Sequence, residues 1–244
     1  MIDGCKIVTV CNRIPQEPYY CLNEWAKSLQ GVQPLILGTQ QGEYGGLGSK
    51  PRLLYKAIKE GLVDTKYIIF CDCWDLVFAV PPSYLFSTFI SMGVPFVISA
   101  EKNCFPDTYK QQYDLLDSGG SKYKYLNSGM IVAETEAMLA VLESMDAQNI
   151  PNDYFDAERN CMVHPNDQQY YQLEFLKQPV KMVLDYDQLL CGTLHDVALD
   201  ELEFIINDGV RIKETGVYPC SFHMNGGAKT SGVREPLLKH LNLI

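Results

Sequence analysis

Two aspartates interrupt an apolar run at residues 67–80, which reads YIIFCDCWDLVFAV. Tyr67–Cys71 has the uninterrupted apolar character of a buried strand, and Asp72 and Asp75 follow it directly. Open α/β sheets bind their ligands at the carboxyl ends of the strands. Carboxylate oxygens at that position suit Mg²⁺ or Mn²⁺, and such a metal usually also binds substrate phosphates. An Asp that caps a turn, with a second Asp in solvent, fits the same spacing equally well.

The composition predicts one globular domain over residues 1–244. The hydrophobic fraction is 47% and the charged fraction 20%, which is ordinary for a chain with a sizeable core, and no linker is visible. A net charge of -10 argues against nucleic acid as the main partner, because a phosphate backbone demands a basic surface. No apolar run has the length of a membrane span.

The N-terminus and the cysteines predict a cytoplasmic chain. The sequence enters a strand-like run at Ile7 without a preceding signal peptide. Nine cysteines are scattered without CxxC pairs, which is typical of reduced, buried thiols and offers no ligand spacing for zinc.

Short β-like runs alternate with helical stretches, which predicts an α/β fold. The predicted strands are Lys6–Val10, Gln33–Gly38, Tyr67–Cys71, Phe96–Ala100, Met130–Ala133 and Val180–Leu184. The predicted helices are Tyr20–Gln30, Pro51–Glu60, Pro82–Met92, Thr135–Met145 and Asp167–Gln178.

Three other segments have no regular pattern. Pro151–His164 is polar and aromatic and is predicted to be a loop or a lid over the site. Asp196–Glu214 fits neither period. The apolar tail Leu237–Ile244 is either a docking helix or, more commonly, a segment that packs on its own domain.

A glycine-rich loop over residues 42–50 opens onto the helix predicted at Pro51. Glycines let backbone amides approach a phosphate, a helix N-terminus favours an anion, and Lys50 adds a cation for a diphosphate. The loop is neither a Walker A nor a dinucleotide-binding sequence, so a mobile surface loop is the more common interpretation.

Polar side chains cluster in three further places. His223 precedes a Gly pair and Lys229, which predicts a third metal ligand and a second cation near phosphate, whereas His195 and His240 are interpreted as structural or surface residues. Leu126–Met130 is a turn-like Asn-Ser-Gly before an apolar strand. Asn166–Gln168 places an acid at a helix start, for which N-capping alone is a sufficient explanation.

Taken in order, these segments resemble the glycosyltransferase domain of procollagen lysyl hydroxylases, a family of the GT-A fold, and more distantly glycogenin-type enzymes. The similar segments are Thr9-Val10, the Gly-rich loop with Lys50, Phe70–Val77, Ser99–Glu101, Tyr125–Gly129, Asn166–Gln168, Leu184-Asp185, and His223–Gly226 with Lys229. Each is weak alone, but the ordered set is specific. The resemblance implies a single GT-A-like domain with a Rossmann-like, mostly parallel sheet flanked by helices.

The resemblance also implies a UDP-sugar donor and Mn²⁺, or Mg²⁺, held by Asp72, Asp75 and His223. The donor-binding residues that it implies are Tyr44, Lys50, Trp74, Asn127, Asn225, Gly226 and Lys229. Among them, Trp74 would stack on the uracil, the two lysines would meet the diphosphate, and the aromatic residue of the Gly-rich loop would help to close it over the donor.

Asp167, with Asn166, is implied to line the sugar and acceptor pocket as the catalytic pair. If the reaction inverts configuration, Asp167 could take the proton of the acceptor hydroxyl; if it retains configuration, Asp167 would only orient the sugar. Phe105 stands where the family has a tryptophan near the acceptor, which implies a different acceptor. The implied activity is transfer of a hexose from UDP to a hydroxyl of a protein or glycan, by a stand-alone domain.

Two other functions fit the same residues. One is a non-catalytic UDP-sugar binding module. The other is a metal-dependent nucleotidyltransferase or phosphohydrolase. A nucleotidyltransferase would require a basic Gly-rich loop near the N-terminus, and Cys11–Pro15 is a poor version of such a loop.

Overall fold

The computed structural model describes residues 2–11, 21–206, 209–229 and 231–244. The strands are β1 (Cys5–Val10), β2 (Leu35–Leu37), β3 (Tyr67–Cys71), β4 (Leu76–Phe78), β5 (Phe96–Glu101), β6 (Tyr125–Glu134), β7 (Tyr154–Asp156), β8 (Cys161–Val163), β9 (Val183–Asp185), β10 (Cys191–Thr193), β11 (Leu202–Ile205), β12 (Gly209–Ile212) and β13 (Ser221–His223). The helices are α1 (Leu22–Ser28), α2 (Ser49–Lys59), α3 (Pro82–Ser91), α4 (Lys110–Asp114), α5 (Thr135–Ser144), α6 (Asp167–Lys177) and α7 (Arg234–His240).

A six-stranded sheet in the order β2-β1-β3-β6-β5-β9 forms the central layer. Five of its strands point in one direction, and only β6 runs antiparallel to its neighbours β3 and β5. Strand β4, which follows β3 in the chain, belongs to a smaller sheet with the order β10-β13-β4. The α/β prediction, with a mostly parallel sheet, is confirmed.

Alternation of side chains along the strands explains the layers. Ile68 and Phe70 of β3 pack in one hydrophobic cluster with α2, α5 and α6, whereas Ile69 and Cys71 pack in a second cluster with α1 and α3. Successive side chains of a strand point to opposite faces of its sheet. Both faces of the central sheet are therefore covered by helices, which accounts for the continuous apolar runs in its sequence.

All six predicted strands and all five predicted helices overlap observed elements, with ends that differ by a few residues. Tyr20, with which the first predicted helix begins, lies outside the described residues, and so do residues 12–15 of the weak N-terminal loop motif.

The turn predicted at Asn127-Ser128-Gly129 is wrong, because these residues lie inside β6. Their polar character reflects bonds to site residues: Asn127 donates to Glu101, and Ser128 donates to Asp167. A buried strand tolerates polar side chains when each finds a hydrogen-bond partner. The pairing of β6 with β5 also changes register between Ile98 and Ala100, where the strand carries this polar stretch.

The segments without a predicted pattern form local structure. Part of 151–164 is the β7–β8 hairpin, and the ambiguous stretch from Asp196 contains the β11–β12 hairpin. Leu237 and Leu238 of α7 are fully buried in the larger hydrophobic cluster, so the C-terminal segment packs on its own domain. No described helix has the length and apolar character needed to cross a membrane.

We expect Leu54→Ala to lower the free energy of unfolding by about 2–5 kcal/mol, because Leu54 on α2 is fully buried against the sheet and its truncation leaves a cavity. Urea unfolding measures the change. Leu115→Ala is the matched control: this leucine is 87% exposed, and its loss should alter stability by less than about 0.5 kcal/mol. Equal effects of the two substitutions would contradict the placement of α2.

Candidate functional site

The junction of the two sheets brings the predicted metal ligands together. Asp72 follows β3, Asp75 precedes β4, and His223 ends β13, which pairs antiparallel with β4. The backbone of Met224 also donates to the carbonyl of Asp75 at 2.6 Å. Ligand atoms of the two aspartates and the histidine all lie within 4.8 Å of one another. Their predicted proximity is therefore observed.

The imidazole of His223 is held by β6. Its Nδ1 lies 3.0 Å from Oδ1 of Asn127, so the proton of the neutral ring belongs on Nδ1 and the lone pair on Nε2. Nε2 is buried, lies 3.2 Å from Oδ1 of Asp75 and 3.7 Å from Oδ2 of Asp72, and has no hydrogen bond within the described part of the chain. A Cβ at Gly129 would fall 2.2 Å from Nδ1, so this position of β6 requires glycine.

The two predicted phosphate-binding lysines each pair with a predicted metal ligand. Nζ of Lys50 lies 2.6 Å from Oδ1 of Asp72 and 3.5 Å from Oδ2 of Asp167, and Nζ of Lys229 lies 2.8 Å from Oδ2 of Asp75. These ammonium groups balance carboxylates that are largely removed from water. Cation charge is thus already concentrated where a metal and a diphosphate are predicted to bind.

Proton affinities reflect this crowding. Burial acts to raise the pKa of Asp75, but His223 and Lys229 outweigh it and hold that pKa below its usual range. Burial opposes the charged form of His223, and the carboxylates of Asp75 and Asp72 nevertheless raise its pKa. Burial likewise opposes the charged form of Lys50, yet Asp167 and Asp72 raise its pKa well above the ordinary value.

Asp167 is the first residue of α6 and is 2% exposed. Asn166 caps this helix, since its Oδ1 accepts from the backbone of Gln168 at 2.9 Å. Ser128 donates to Oδ2 of Asp167 at 3.0 Å. Burial raises the pKa of the Asp167 carboxyl and Asp72 adds to the effect, while Lys50 opposes it. The two predicted catalytic residues therefore differ: one caps the helix, and the other faces the lysine.

A second buried carboxylate, Glu101, accepts three side-chain amides. Asn127 and Gln168 donate to its Oε1 at 3.0 and 2.9 Å, and Asn225 donates to its Oε2 at 2.8 Å. The amide oxygen of Asn225 accepts the backbone N–H of His195 at 3.0 Å. Asn127 and Asn225, predicted to bind the donor, thus already use part of their hydrogen-bonding capacity within the protein.

The cluster of Asp72, Asp75 and His223 separates two clefts. The Trp74 cleft encloses about 200 Å³ and is lined by Val10, Tyr44, Leu47, Lys50, Asp72, Cys73, Trp74, Asp75 and Lys229. The His195 cleft encloses about 360 Å³; besides residues shared with the first cleft, its lining includes Glu101, Phe105, Asn127, Ser128, Asn166, Asp167, His195, His223, Asn225 and Gly226. The indole of Trp74 donates to the sulfur of Cys11 at 3.0 Å, which fixes the ring at the cleft wall.

The Gly-rich loop packs against the segment predicted to be a lid. The carbonyl of Gly45 accepts from the backbone of Asp153 at 2.6 Å, and a Cβ on Gly45 would clash with the side chain of Asn152. Gly46 has a φ of +108°, and a Cβ built on it would clash with the Asp153 carboxylate. None of the described residues of 151–164 lines either cleft. This segment supports the loop that carries Tyr44 and Lys50, and its role as a lid over the site stays a prediction.

Sequence reasoning missed two residues of the His195 cleft. His195, interpreted as structural or surface, lines this cleft with 32% of its side chain exposed. Glu101 carried no assigned role, although a glutamate at the end of an otherwise apolar strand is a signal that could have been used. His240 does have a structural contact, since its Nε2 lies 3.1 Å from the carbonyl of Gly209.

Comparison with known sequences agrees with this geometry. A profile of the family described as PLOD GT domain matches residues 22–233. The chain is 28% identical over 195 residues to an uncharacterized protein of Acanthamoeba polyphaga mimivirus, covering 79% of this chain and 38% of that protein. It is 27% identical over 215 residues to procollagen-lysine,2-oxoglutarate 5-dioxygenase 1 of Homo sapiens, covering 81% of this chain and 26% of that protein. The chain therefore spans well under half of these relatives.

Two solved structures share the fold. Mouse xyloside xylosyltransferase 1 in its apo form has a TM-score of 0.55 at 12% identity, covering 92% of this chain and 98% of that chain. A glycosyltransferase involved in the glycosylation of the major capsid of PBCV-1 has a TM-score of 0.50 at 14% identity, covering 98% and 99%. The architecture is thus that of GT-A-like glycosyltransferases.

We expect Lys50→Met to lower stability by about 3–5 kcal/mol at about pH 8, because it leaves buried carboxylates without their cation. Without Lys50, the folded-state pKa of Asp167 rises further above its unfolded value. The folded state then binds the extra proton, so stability is lost as pH rises through that pKa, and the defect should be smaller at about pH 5.

Urea unfolding at both pH values, without added metal, measures this difference. Lys56→Met on the same helix is the control, because the ion pair of Lys56 among the described residues is with the exposed Glu60 at 4.0 Å, and such surface pairs contribute little. A pH-independent loss in Lys50→Met would contradict the coupling to Asp167.

Proposed function

The chain belongs to the PLOD GT domain family, and on that premise we propose that it is a metal-dependent glycosyltransferase that moves a hexose from a UDP-sugar to a hydroxyl acceptor. The observation that carries the proposal is the buried Nε2 of His223. This atom faces two carboxylates that line both clefts, and it has no hydrogen bond among the described residues.

The donor atoms fit a divalent cation. Asp72 and Asp75 supply hard oxygens and His223 supplies an imidazole nitrogen whose tautomer Asn127 fixes from behind. This mixed set suits Mn²⁺ and tolerates Mg²⁺. Metal-ligating histidines typically donate their other ring N–H to an oxygen, as His223 does to Asn127. When bound, such a metal acts as a Lewis acid that neutralises charge developing on the departing diphosphate.

The Trp74 cleft suits the nucleotide. The aromatic side chains of Trp74 and Tyr44 lie at its wall, and Lys50 and Lys229 lie where it meets the carboxylates. A uracil ring stacks on an indole face, and ammonium groups stabilise a diphosphate. We assign the uracil to Trp74, the diphosphate to the two lysines, and closure of the Gly-rich loop to Tyr44.

The His195 cleft suits the sugar and the acceptor. Asp167 is held by Lys50 and Ser128 at the boundary with the nucleotide, which favours a role in orienting the transferred sugar. Asn166 fixes the helix start that carries this carboxylate. Asn127, Asn225 and Gly226 form the wall behind it. Both substrates would then meet beside the metal, which provides the proximity that transfer requires.

We expect Asp72→Asn and Asp75→Asn each to reduce UDP release from UDP-hexoses by at least about 100-fold, because each removes an anionic metal ligand. UDP release is measured from UDP-glucose and UDP-galactose with Mn²⁺, and in parallel with EDTA, which should abolish it. Asp64→Asn is the control, since the side chain of Asp64 is 72% exposed and pairs with Lys6 away from both clefts.

Thermal melts accompany these assays. Folded variants that retain the full metal-dependent rate would contradict the ligand assignment. UDP binding without turnover in the unmodified protein would favour a binding module, and pyrophosphate release from a nucleoside triphosphate would favour a nucleotidyltransferase.

We expect Trp74→Ala to weaken UDP binding by about 1–3 kcal/mol, or roughly 5- to 150-fold in Kd, because it removes the stacking surface. Trp74→Phe keeps an aromatic face but loses the indole bond to Cys11, so it should bind UDP more tightly than the alanine variant. Calorimetry with UDP and Mn²⁺ compares them. Equal affinity of the alanine variant and the unmodified protein would remove the assignment of Trp74 to the base.

A further inference from the structure

His195 is fixed to the segment that supplies the candidate metal ligand His223. Strand β10 pairs in parallel with β13, with Thr193 opposite His223, and the backbone of Leu194 donates to the carbonyl of His223 at 2.9 Å. The next backbone N–H, that of His195, donates to Oδ1 of Asn225 at 3.0 Å. The imidazole therefore leaves the same edge of the small sheet as the metal cluster, on the side of the larger cleft.

The imidazole of His195 occupies the space that a side chain at position 226 would need. Gly226 has a φ of +53°, and a Cβ built on it would fall 2.7 Å from Nδ1 and 2.9 Å from both Cε1 and Cγ of His195. The ring thus lies against a backbone that has no side chain. Asp196, the next residue, also has a positive φ, +57°, and its carboxylate accepts from Asn103 at 2.6 Å.

A fixed carboxylate lies behind the ring. Nδ1 of His195 is 3.9 Å from Oε2 of Glu101, the carboxylate already bound by three side-chain amides. At 3.9 Å this is an electrostatic contact, longer than a hydrogen bond. At the other ring nitrogen, Oδ1 of Asp196 lies 3.6 Å from Nε2.

Other titratable residues of this cleft are already engaged. Asp72 and Asp75 belong to the metal cluster and bind the two cleft lysines, Lys50 and Lys229. Asp167 lies 3.5 Å from Lys50 and accepts from Ser128. His195, by contrast, has a partly exposed ring in the cleft with a carboxylate behind it.

We propose that His195 is the general base of the transfer: its imidazole binds the acceptor hydroxyl and accepts its proton. The acceptor oxygen forms a bond to the anomeric carbon of the sugar, the bond from that carbon to the diphosphate breaks, UDP departs with the bonding electrons, and the proton is left on His195. The assignment rests on the proposed function. It leaves to Asp167 the orientation of the sugar.

The test uses the full chain with UDP-glucose and UDP-galactose in Mn²⁺, with water in the place of the acceptor hydroxyl. His195→Gln keeps a polar side chain but cannot accept the proton, so UDP release should fall by about 100-fold or more. The rate of the unmodified protein should fall at low pH as the base becomes protonated, and this limb should be absent from the variant. His240→Gln, a histidine that lines neither cleft, should match the unmodified protein.

A second variant separates chemistry from folding. Gly226→Ala keeps the imidazole but displaces its ring, so it should lose rate in the same way while thermal melts report its stability. If His195→Gln retains the rate within about threefold and keeps the pH limb, His195 is not the base.

Calorimetry with UDP and Mn²⁺ keeps the two proposals distinct. Normal UDP binding by His195→Gln together with a lost rate supports the base. An unmodified protein that does not bind UDP would overturn the glycosyltransferase assignment itself, whereas UDP binding and turnover that are unchanged by His195→Gln would overturn only the role of His195.

Discussion

A buried carboxylate with three amide partners is the constraint on which the site depends. Glu101 receives hydrogen bonds from β6, from α6 and from the segment after β13, through Asn127, Gln168 and Asn225. An anion at 2% exposure is tolerated only where such partners replace water. Because the three amides come from three elements, satisfying one carboxylate also fixes where those elements meet. Asn127 also bonds to the imidazole of His223, so the position of that ring depends on the same carboxylate.

Charge is the second organising feature. Three acids, two lysines and a histidine are packed into the junction of the clefts, each acid within ion-pair distance of a cation. Such a cluster is costly to desolvate and contributes little net stability compared with apolar packing. Such crowding of charge at the carboxyl end of β3 is typical of a functional site, because open α/β sheets bind their ligands there.

The sequence predicted the layers of the fold and the proximity of Asp72, Asp75 and His223, for physical reasons. Strands buried on both faces leave long apolar runs, and Asp72 and Asp75 stand where a run ends. The sequence was less informative about buried polar residues that hydrogen-bond to one another. Asn-Ser-Gly suggested a turn, and the hydrogen-bond partners that keep Asn127 in a buried strand come from distant parts of the chain. His195 lies 30 residues from Asn225 and 94 from Glu101 in sequence, and no local pattern indicates that the fold brings them together.

The cluster of Asp72, Asp75 and His223 joins distant parts of the chain, and β13 completes it by entering between β10 and β4. During synthesis, this cluster can assemble only after most of the described chain has emerged, because its last member belongs to a late strand. The contacts that close it are long in sequence, which is the kind of contact that slows folding. A ligand that needs all three side chains will bind the finished domain and not its precursors, so its concentration will shift the folding equilibrium of the whole chain.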